Sequence, residues 1–382
     1  MTNKSKEHLF YIDGLKGLSC LFIMIGHYFG AYKYAQITSE QYSTFFEFFK
    51  NKITSNIVNE TLWLQLFFLI SGFLIASGKT DSIKTFAEKT LKRFLRFYMP
   101  IASACFVIYF IISFIGIHAN ETNVFFDNPF FQGNSDKHLK FYEIILDPIK
   151  TIFSGGSQFN SPYWVISDMF YASIIMYALL YIKQKTENNF TIISGLLITL
   201  TALFFIVDKR NIAVCIIGMA LRFIQPSINR IIKKDWLAVL IFIFSIAMPF
   251  FGGHYILSRI AKHLYPAFPS IKANVIIFYF SIMLLFVNRT SFAKKILSSK
   301  PFVFLGKISF GIYSFHWPVY ISIGALIMMR MLPEYSLFKT VTAASAICIS
   351  ITVILAILYH YTFENYSMKL IGKIKFQINQ KQ

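Results

Sequence analysis

Hydrophobic positions in this chain are gathered into long blocks, and most polar positions fall between the blocks. Ten apolar segments can be placed, several of them close to the roughly 20 residues with which an α-helix crosses a bilayer core. They lie near residues 11–32, 61–78, 97–118, 162–182, 190–207, 212–228, 236–251, 273–287, 308–329 and 338–360. The pattern predicts an all-α fold, a polytopic transmembrane bundle of about ten helices. We expect it to form one domain over residues 1–382, without an appended soluble domain.

Positive charge gives the predicted bundle an orientation. With the N-terminus placed in the cytoplasm, the inward loops carry 21 lysines and arginines and the outward loops carry 13. Because basic residues accumulate in cytoplasmic loops, both termini are predicted to be cytoplasmic. The net charge of +19 is then explained by contact with anionic membrane lipids, and no nucleic-acid partner is expected.

The segment 119–161 is the longest polar connection, and this topology makes it an extracytoplasmic loop. Its Pro129, Gly133, Pro148 and the glycine pair at 155 and 156 favour irregular structure. Loops of this length tend to be functional or mobile. We therefore expect it to take part in the function.

Cysteine and histidine spacing gives no sign of a metal site. The four cysteines fall within predicted spans, without pairing or metal-ligand spacing, and are interpreted as small apolar residues. The same lack of ligand spacing holds for His8, His118, His138, His254, His263 and His360. We therefore expect no metal.

Asp13, Lys16 and His27 interrupt the first apolar span. Lys16 and His27 are eleven residues apart, which at about 100° and 1.5 Å per residue puts them on one helix face, about 16 Å apart. Asp13 shares that face and can partly neutralise Lys16. Ionisable groups at such depth usually serve function, and a neutral histidine there can accept a proton. His27 and Asp13 are our candidate catalytic residues; the alternatives are a snorkelling lysine and a histidine that only bonds a neighbouring helix.

Arg93 and Arg96 form a second polar cluster, at the predicted cytoplasmic end of the third span. One helical turn separates them, so both guanidinium groups can converge on one anion, and arginine suits bidentate phosphate recognition. The alternative is ordinary positive charge on the inner side. Together with Lys16 they suggest a phosphate site about three turns from His27. A long donor with a phosphate head and a reactive arm would bridge these points, and acyl-CoA has that shape.

Five segments resemble, in order, the motifs of the acyltransferase-3 family of integral membrane O-acyltransferases. They are the spacing from Lys16 to His27; "FFLISGFLI" with Ser71 and Gly72; "RFLR" with Arg93 and Arg96; "SPYWVISDMFY" with Trp164 and Asp168; and "FLGKISFGIYSFHWPVY" with Tyr313, His316 and Pro318. The family more often has arginine at the position of Lys16 and glutamate at that of Asp168. Tyr366 stands where many relatives have the proline of a Glu-x-Pro motif after Glu364.

The resemblance implies that His27 is catalytic, that Lys16, Arg93 and Arg96 bind acyl-CoA, and that acetyl-CoA is the donor. The acceptor it implies is a hydroxyl of an extracytoplasmic polysaccharide or lipid-linked glycan at a bacterial cytoplasmic (inner) membrane. The remaining motif residues become candidates for lining the substrate channel or orienting His27, with core packing as the alternative: Ser71, Trp164, Asp168, Tyr313 and His316. His27 would act as a general base or as a covalent acyl carrier, and sequence does not separate the two.

Two other classes of protein fit parts of the pattern. A glycan exporter or flippase is favoured by internal repeats and broken helices in corresponding halves, and the sequence shows neither. A scaffold within a polysaccharide synthase would have no use for His27. The combination of a histidine with an arginine pair favours the acyltransferase.

Overall fold

A computed structural model of the protein describes residues 9–30, 51–123, 139–250 and 271–373, with positions 47 and 259. Over these ranges the chain is helical and contains no strand. In chain order the helices are α1 (Phe10–Gly30), α2 (Lys52–Ile57), α3 (Glu60–Ile75), α4 (Ile83–Ile115), α5 (Ala119–Asn123), α6 (Glu143–Ser154), α7 (Trp164–Lys185), α8 (Phe190–Ile206), α9 (Arg210–Ile231), α10 (Asp235–Phe250), α11 (Ile271–Phe286), α12 (Ser291–Leu297), α13 (Lys300–Val319), α14 (Ala325–Met331), α15 (Leu337–Tyr359) and α16 (Asn365–Lys373). Two π-helical segments, Tyr320–Gly324 and His360–Glu364, join α13 to α14 and α15 to α16.

Each of the ten predicted apolar segments overlaps one of these helices. Within the described ranges, five helical stretches are long and apolar enough to cross a membrane: Ile83–Ile115, Ser161–Lys185, Arg210–Ile231, Lys300–Met331 and Leu337–Lys373. A sixth is formed if Val275–Arg289 and Ser291–Leu297, which meet at 93°, make one broken span. The protein is therefore all-α with several candidate spans, whereas ten crossings and cytoplasmic termini stay predictions.

Helices α1 and α13 pack in parallel through glycines. A Cβ on Gly17 would lie 2.4 Å from the backbone nitrogen of Gly306, and one on Gly306 would lie 2.3 Å from the carbonyl oxygen of Asp13. Further along, the Cys20 thiol donates to the carbonyl of Ser309 at 3.0 Å, at a separation of 289 residues. Small residues let helix backbones approach this closely inside membranes. This contact fixes the register of α1 on α13.

Helices α3 and α9 form a second close parallel pair. A Cβ on Gly72 would lie 1.8 Å from the carbonyl oxygen of Cys215, and one on Gly218 would lie 2.1 Å from that of Leu69. The amide of Gln65 donates to Asn211 near the N-terminal ends of the same helices. Both helices therefore begin at the same end of the bundle.

The described parts of the segment 119–161 include two helices, although its prolines and glycines favour irregular structure. The segment contains α5 and α6, while residues 124–138, including Pro129 and Gly133, lie outside the described ranges. Helix α6 forms despite Pro148 because its buried positions share one face: Ile144, Asp147, Pro148, Thr151 and Ile152. His8, His138, His254 and His263 also fall outside the described residues.

Asp147 anchors the end of this segment. Its carboxylate accepts hydrogen bonds from the Ser157 hydroxyl at 2.6 Å and from the backbone N–H of Gln158 at 2.7 Å. Burial raises the pKa of the Asp147 carboxyl, and these hydrogen bonds offset part of that effect. The anchored chain leads directly into α7 and so fixes the start of that helix.

Candidate active site

His27 and His316 lie side by side where α1 meets α13. His27 Nδ1 is 2.8 Å from His316 Nε2, again at a separation of 289 residues. The two rings are nearly parallel, at 9°, and their centroids are 4.9 Å apart. His316 is buried and His27 is half-buried. The glycine contact that sets the register of the two helices therefore also brings their histidines together.

The surroundings of His316 fix the proton positions of the neutral pair. His316 Nδ1 faces the carbonyl oxygens of Tyr313 at 2.8 Å and Ile312 at 3.2 Å, which can only accept, so this nitrogen carries a proton. In a neutral ring Nε2 is then an acceptor, and His27 Nδ1 donates to it. The lone pair of His27 is thereby left on Nε2. This is the tautomer in which Nε2 can take a proton from a substrate.

Tyr28, which follows His27 in the chain, links α1 to the backbone of His316. Its hydroxyl donates to the carbonyl oxygen of His316 at 2.9 Å and lies 3.1 Å from Thr352 Oγ1 on α15. Tyr320 stacks on Tyr28 with ring centroids 4.3 Å apart and donates to its carbonyl oxygen at 2.9 Å. Tyr28, Tyr320 and Thr352 are buried. The hydrogen bonds among Tyr28, Tyr320, Thr352 and the His316 carbonyl, which we call the bonded frame, thus connect α1, α13 and α15 around the histidine pair.

An inner cavity of about 580 Å³ opens at the end of the bundle that is predicted to be cytoplasmic. Its charged lining residues are five cations and one carboxylate: Lys16, Lys89, Lys92, Arg93, Arg96 and Glu364. Ser71 and Tyr313, both named from the sequence, line the same cavity. The excess of positive charge makes it suited to a polyanionic ligand.

The arginines of this inner cavity differ in their surroundings. Arg93 is half-buried, its guanidinium lies 4.5 Å from the centroid of the Phe97 ring, and its Nε has no hydrogen-bond partner among the described residues. Arg96 is exposed. Lys89 is held by Thr80 Oγ1 at 2.9 Å and by the carbonyl oxygen of Lys79. Glu364 lies 2.9 Å from His360 Nδ1. Because a buried donor without a partner is costly, Arg93 stays a candidate for anion binding.

One face of α1 connects the inner cavity to the histidine pair. Lys16, Cys20 and Ile23 line the cavity, and His27 follows at the same three-to-four-residue spacing. Tyr313 also lines the cavity, and its carbonyl oxygen receives the proton of His316 Nδ1. The cavity therefore ends about one helical turn from His27.

Trp164 and Asp168 lie at a different place, in an outer pocket of about 460 Å³. The pocket forms where α3, α7 and α9 begin, and its polar lining includes Thr61, Gln65, Ser167, Asp208, Arg210 and Asn211. The Asn211 amide donates to Asp168 at 2.8 Å and accepts from the Gln65 amide at 3.3 Å. Leu64 lines both this pocket and the inner cavity. The two spaces therefore share a wall.

The structure puts the sequence-predicted residues in three places. The inner cavity is lined by Lys16, Ser71, Arg93, Arg96 and Tyr313, and the outer pocket by Trp164 and Asp168. The third place is the contact between His27 and His316. Asp13 lines neither of these two spaces, and its carbonyl oxygen packs against Gly306.

Sequence reasoning missed two groups of residues. Lys89 and Lys92 share a helix face with the arginine pair, a spacing that was available from the sequence. Gln65 is a polar residue inside the apolar segment 61–78, which is the usual signal of a functional or bonded position, and Asn211 directly precedes the segment 212–228. No group of three histidine, cysteine or acidic side chains capable of holding a metal occurs among the described residues.

Comparison with known proteins identifies the family of this chain. The family profile described as an acyltransferase domain, that of the acyltransferase-3 family, matches residues 9–360. No curated protein and no solved structure matches the chain. The matched range contains the histidine pair, the outer pocket and all lining residues of the inner cavity except Glu364 and Met368. With the match covering far more than half of its length, the chain belongs to the acyltransferase-3 family and is a membrane acyltransferase.

Proposed function

We propose that the protein is a membrane O-acyltransferase that moves an acyl group, in the first instance acetyl, from cytoplasmic acyl-CoA to a hydroxyl of an extracytoplasmic polysaccharide or lipid-linked glycan. It would reside in the bacterial cytoplasmic membrane. One observation carries the proposal. His27, which pairs with His316, lies on the same face of α1 as Lys16, and Lys16 lines a strongly basic cavity.

The inner cavity is the proposed donor site. Its five cations and the unpaired Nε of Arg93 fit the phosphates of acyl-CoA, because charge-assisted hydrogen bonds to arginine are among the strongest available. Acyl-CoA supplies the thioester when bound. Lys16, Arg93 and Arg96 would hold the phosphates, with Lys89 and Lys92 adding positive charge. The apolar stretch past Cys20 and Ile23 would take the uncharged arm towards His27.

His27 is the proposed general base. Its Nε2 removes the proton of the acceptor hydroxyl as the oxygen bonds to the thioester carbonyl carbon. The C–S bond breaks to release thiolate, and the thiolate takes up the proton from His27 Nε2, which restores the neutral base. His316 accepts the hydrogen bond from His27 Nδ1 throughout, and so keeps the ring in the required tautomer and orientation. A covalent acyl–His27 intermediate is the alternative, with the same Nε2 as nucleophile.

The first test is transfer of label from acyl-labelled acetyl-CoA into glycan by membranes that carry the protein. The wild type should label glycan and His27→Ala should not, at matched expression. His118→Ala is the matched control, because His118 lies away from both cavities and bonds Glu121 at 2.7 Å. Equal labelling by wild type and His27→Ala would remove His27 from the chemistry. Absence of labelling with every acyl-CoA tested would favour the exporter instead.

A further inference from the structure

The outer pocket holds a chain of hydrogen bonds whose direction is fixed at one end. Asp168 is a carboxylate and can only accept, so Asn211 must present its NH₂ group to it. The Asn211 oxygen then faces Gln65 and accepts from the Gln65 NH₂ group. The Gln65 Oε1 atom is left over as an acceptor. It has no hydrogen-bond partner among the described residues, although Gln65 is only 4% exposed.

An unused donor and an aromatic ring line the same pocket. Arg210 Nε is buried without a hydrogen-bond partner in the described ranges, and the guanidinium makes only a 4.0 Å contact with the exposed Asp208. Trp164 is large and apolar, yet 49% exposed at the pocket wall. A native protein leaves buried polar atoms unpaired mainly where a ligand or water will satisfy them.

The chemistry of these groups points to one ligand class. Hydroxyl groups can both donate, as Gln65 Oε1 requires, and accept, as Arg210 Nε requires. The C–H face of a sugar ring can pack on the Trp164 ring. The charged lining residues are Asp168, Asp208, Lys209 and Arg210, two of each sign, so the pocket has no excess charge to attract a phosphate. A polyhydroxylated, uncharged ring satisfies all three features.

The pocket also lies where an acceptor is needed. Thr61 lines the pocket and directly follows Glu60. The backbone nitrogen of Glu60 packs against Gly26, the residue before His27: a Cβ on Gly26 would lie 2.7 Å from this nitrogen. Leu64 separates the pocket from the inner cavity. We propose that the outer pocket is the acceptor subsite and binds one uncharged glycosyl unit through its hydroxyls, a proposal that rests on the acyltransferase function proposed above.

The test measures glycan binding separately from acyl transfer. Purified full-length protein in nanodiscs is applied to an array of bacterial oligosaccharides, as wild type, Trp164→Ala and Gln65→Leu. Trp236→Ala is the matched control, because Trp236 is 59% exposed and lies on α10, away from the pocket. We expect the wild type and Trp236→Ala to bind the same glycans with an uncharged terminal unit. The two pocket variants should lose about tenfold or more in affinity, the size expected for one or two polar or stacking contacts. Since Trp164 is exposed, its variant leaves the core intact.

Binding of labelled CoA, measured in parallel, separates the two proposals. It should be unchanged in the outer-pocket variants and reduced in Arg93→Gln. Suppose that the wild type binds glycan through the pocket but transfers no label. This result would overturn the proposed acyl-transfer function and leave the outer pocket as a glycan-binding site. Label transfer with glycan affinities unchanged in both pocket variants would overturn the acceptor subsite. So would an array on which the wild type binds nothing, or only anionic glycans.

Discussion

His27 Nδ1 lies 2.8 Å from His316 Nε2, although 289 residues separate them. Cys20 and Ser309 meet at the same separation, and Gly17 packs against Gly306 further down the same helices. The constant offset means that α1 and α13 run parallel in one register from the glycine contact to the histidine pair. A residue that changes this register should therefore act on catalysis from a distance.

The histidine pair gives a direct prediction about rate and pH. His27→Ala should reduce acyl transfer by about 10²–10⁴-fold, the usual contribution of a general base. His316→Ala should lower kcat less, by about tenfold to a hundredfold, with little change in the KM for acyl-CoA, because His316 orients His27 without touching substrate. Its pH–rate profile should also move, since the hydrogen bond that selects the His27 tautomer is gone.

The discriminating measurement for His316 is therefore the pH profile of kcat in wild type and His316→Ala, with folding checked by thermal stability. A proportional loss at every pH, with an unmoved profile, would indicate that His316 only packs the core.

Arg93 should contribute more to donor binding than Arg96. Arg93 is half-buried with an unpaired Nε, whereas Arg96 is exposed to solvent. A charge-assisted hydrogen bond is worth about 1.5–3 kcal/mol, so Arg93→Gln should raise the Kd for CoA by about 10- to 150-fold. Arg96→Gln should have a smaller effect because solvent screens an exposed charge. Arg93→Lys should restore only part of the affinity.

Binding of radiolabelled CoA to purified protein measures the donor series. Lys295→Gln is the control, because this exposed lysine is also on the predicted inner side but does not line the cavity. An equal loss in Lys295→Gln would mean that the inner surface attracts CoA only by its general charge.

The glycine contact between α1 and α13 should tolerate no side chain. A Cβ on Gly306 would lie 2.3 Å from a backbone oxygen, so Gly306→Ala must push the helices apart. Overpacking costs about 1–3 kcal/mol, and the variant should melt at a lower temperature and lose transfer activity. Gly195 on α8 is the matched control: a Cβ there meets nothing within 4 Å. Gly195→Ala should be neutral or slightly stabilising, by about 1 kcal/mol at most. Equal melting temperatures for the two variants would refute this packing.

Tyr28 should couple stability to the position of His316. Tyr28→Phe removes a buried hydroxyl that bonds the His316 carbonyl and Thr352, and should cost about 1–3 kcal/mol because both partners lose a hydrogen bond. Thr352→Val tests the coupling. If the hydroxyls act on each other, the double variant should lose less stability than the sum of the single variants. Thermal unfolding of all four proteins provides the cycle. Strict additivity, or a cost as small as that of Tyr335→Phe at a half-exposed site, would contradict the bonded frame.

The apolar blocks determined that the protein is helical and located its longer apolar helices, because apolar residues are grouped into segments of membrane-span length. They did not locate α2, α5 or α6, which lie outside the blocks. The spacing of Lys16 and His27, and of Arg93 and Arg96, likewise predicted shared faces, since helical periodicity is local. The same argument could have identified Lys89 and Lys92, which share a helix face with the two arginines. The amphipathic face of α6 was also in the sequence, but the proline and glycine signals around it favoured a loop.

Contacts between distant helices were decided only by the tertiary structure. The sequence offered His316 only as one of five candidates for lining the channel or orienting His27. It could not single out this contact, because the contact depends on the glycine packing between α1 and α13. It grouped Trp164 and Asp168 with the channel residues, yet they line a separate pocket that forms because α3, α7 and α9 begin together. The Gln65 oxygen is likewise left without a partner only because the tertiary structure places Asn211 between Asp168 and Gln65, so that the Gln65 NH₂ group is used as a donor. Periodicity acts within one helix, whereas register and helix order follow from close packing over the whole chain.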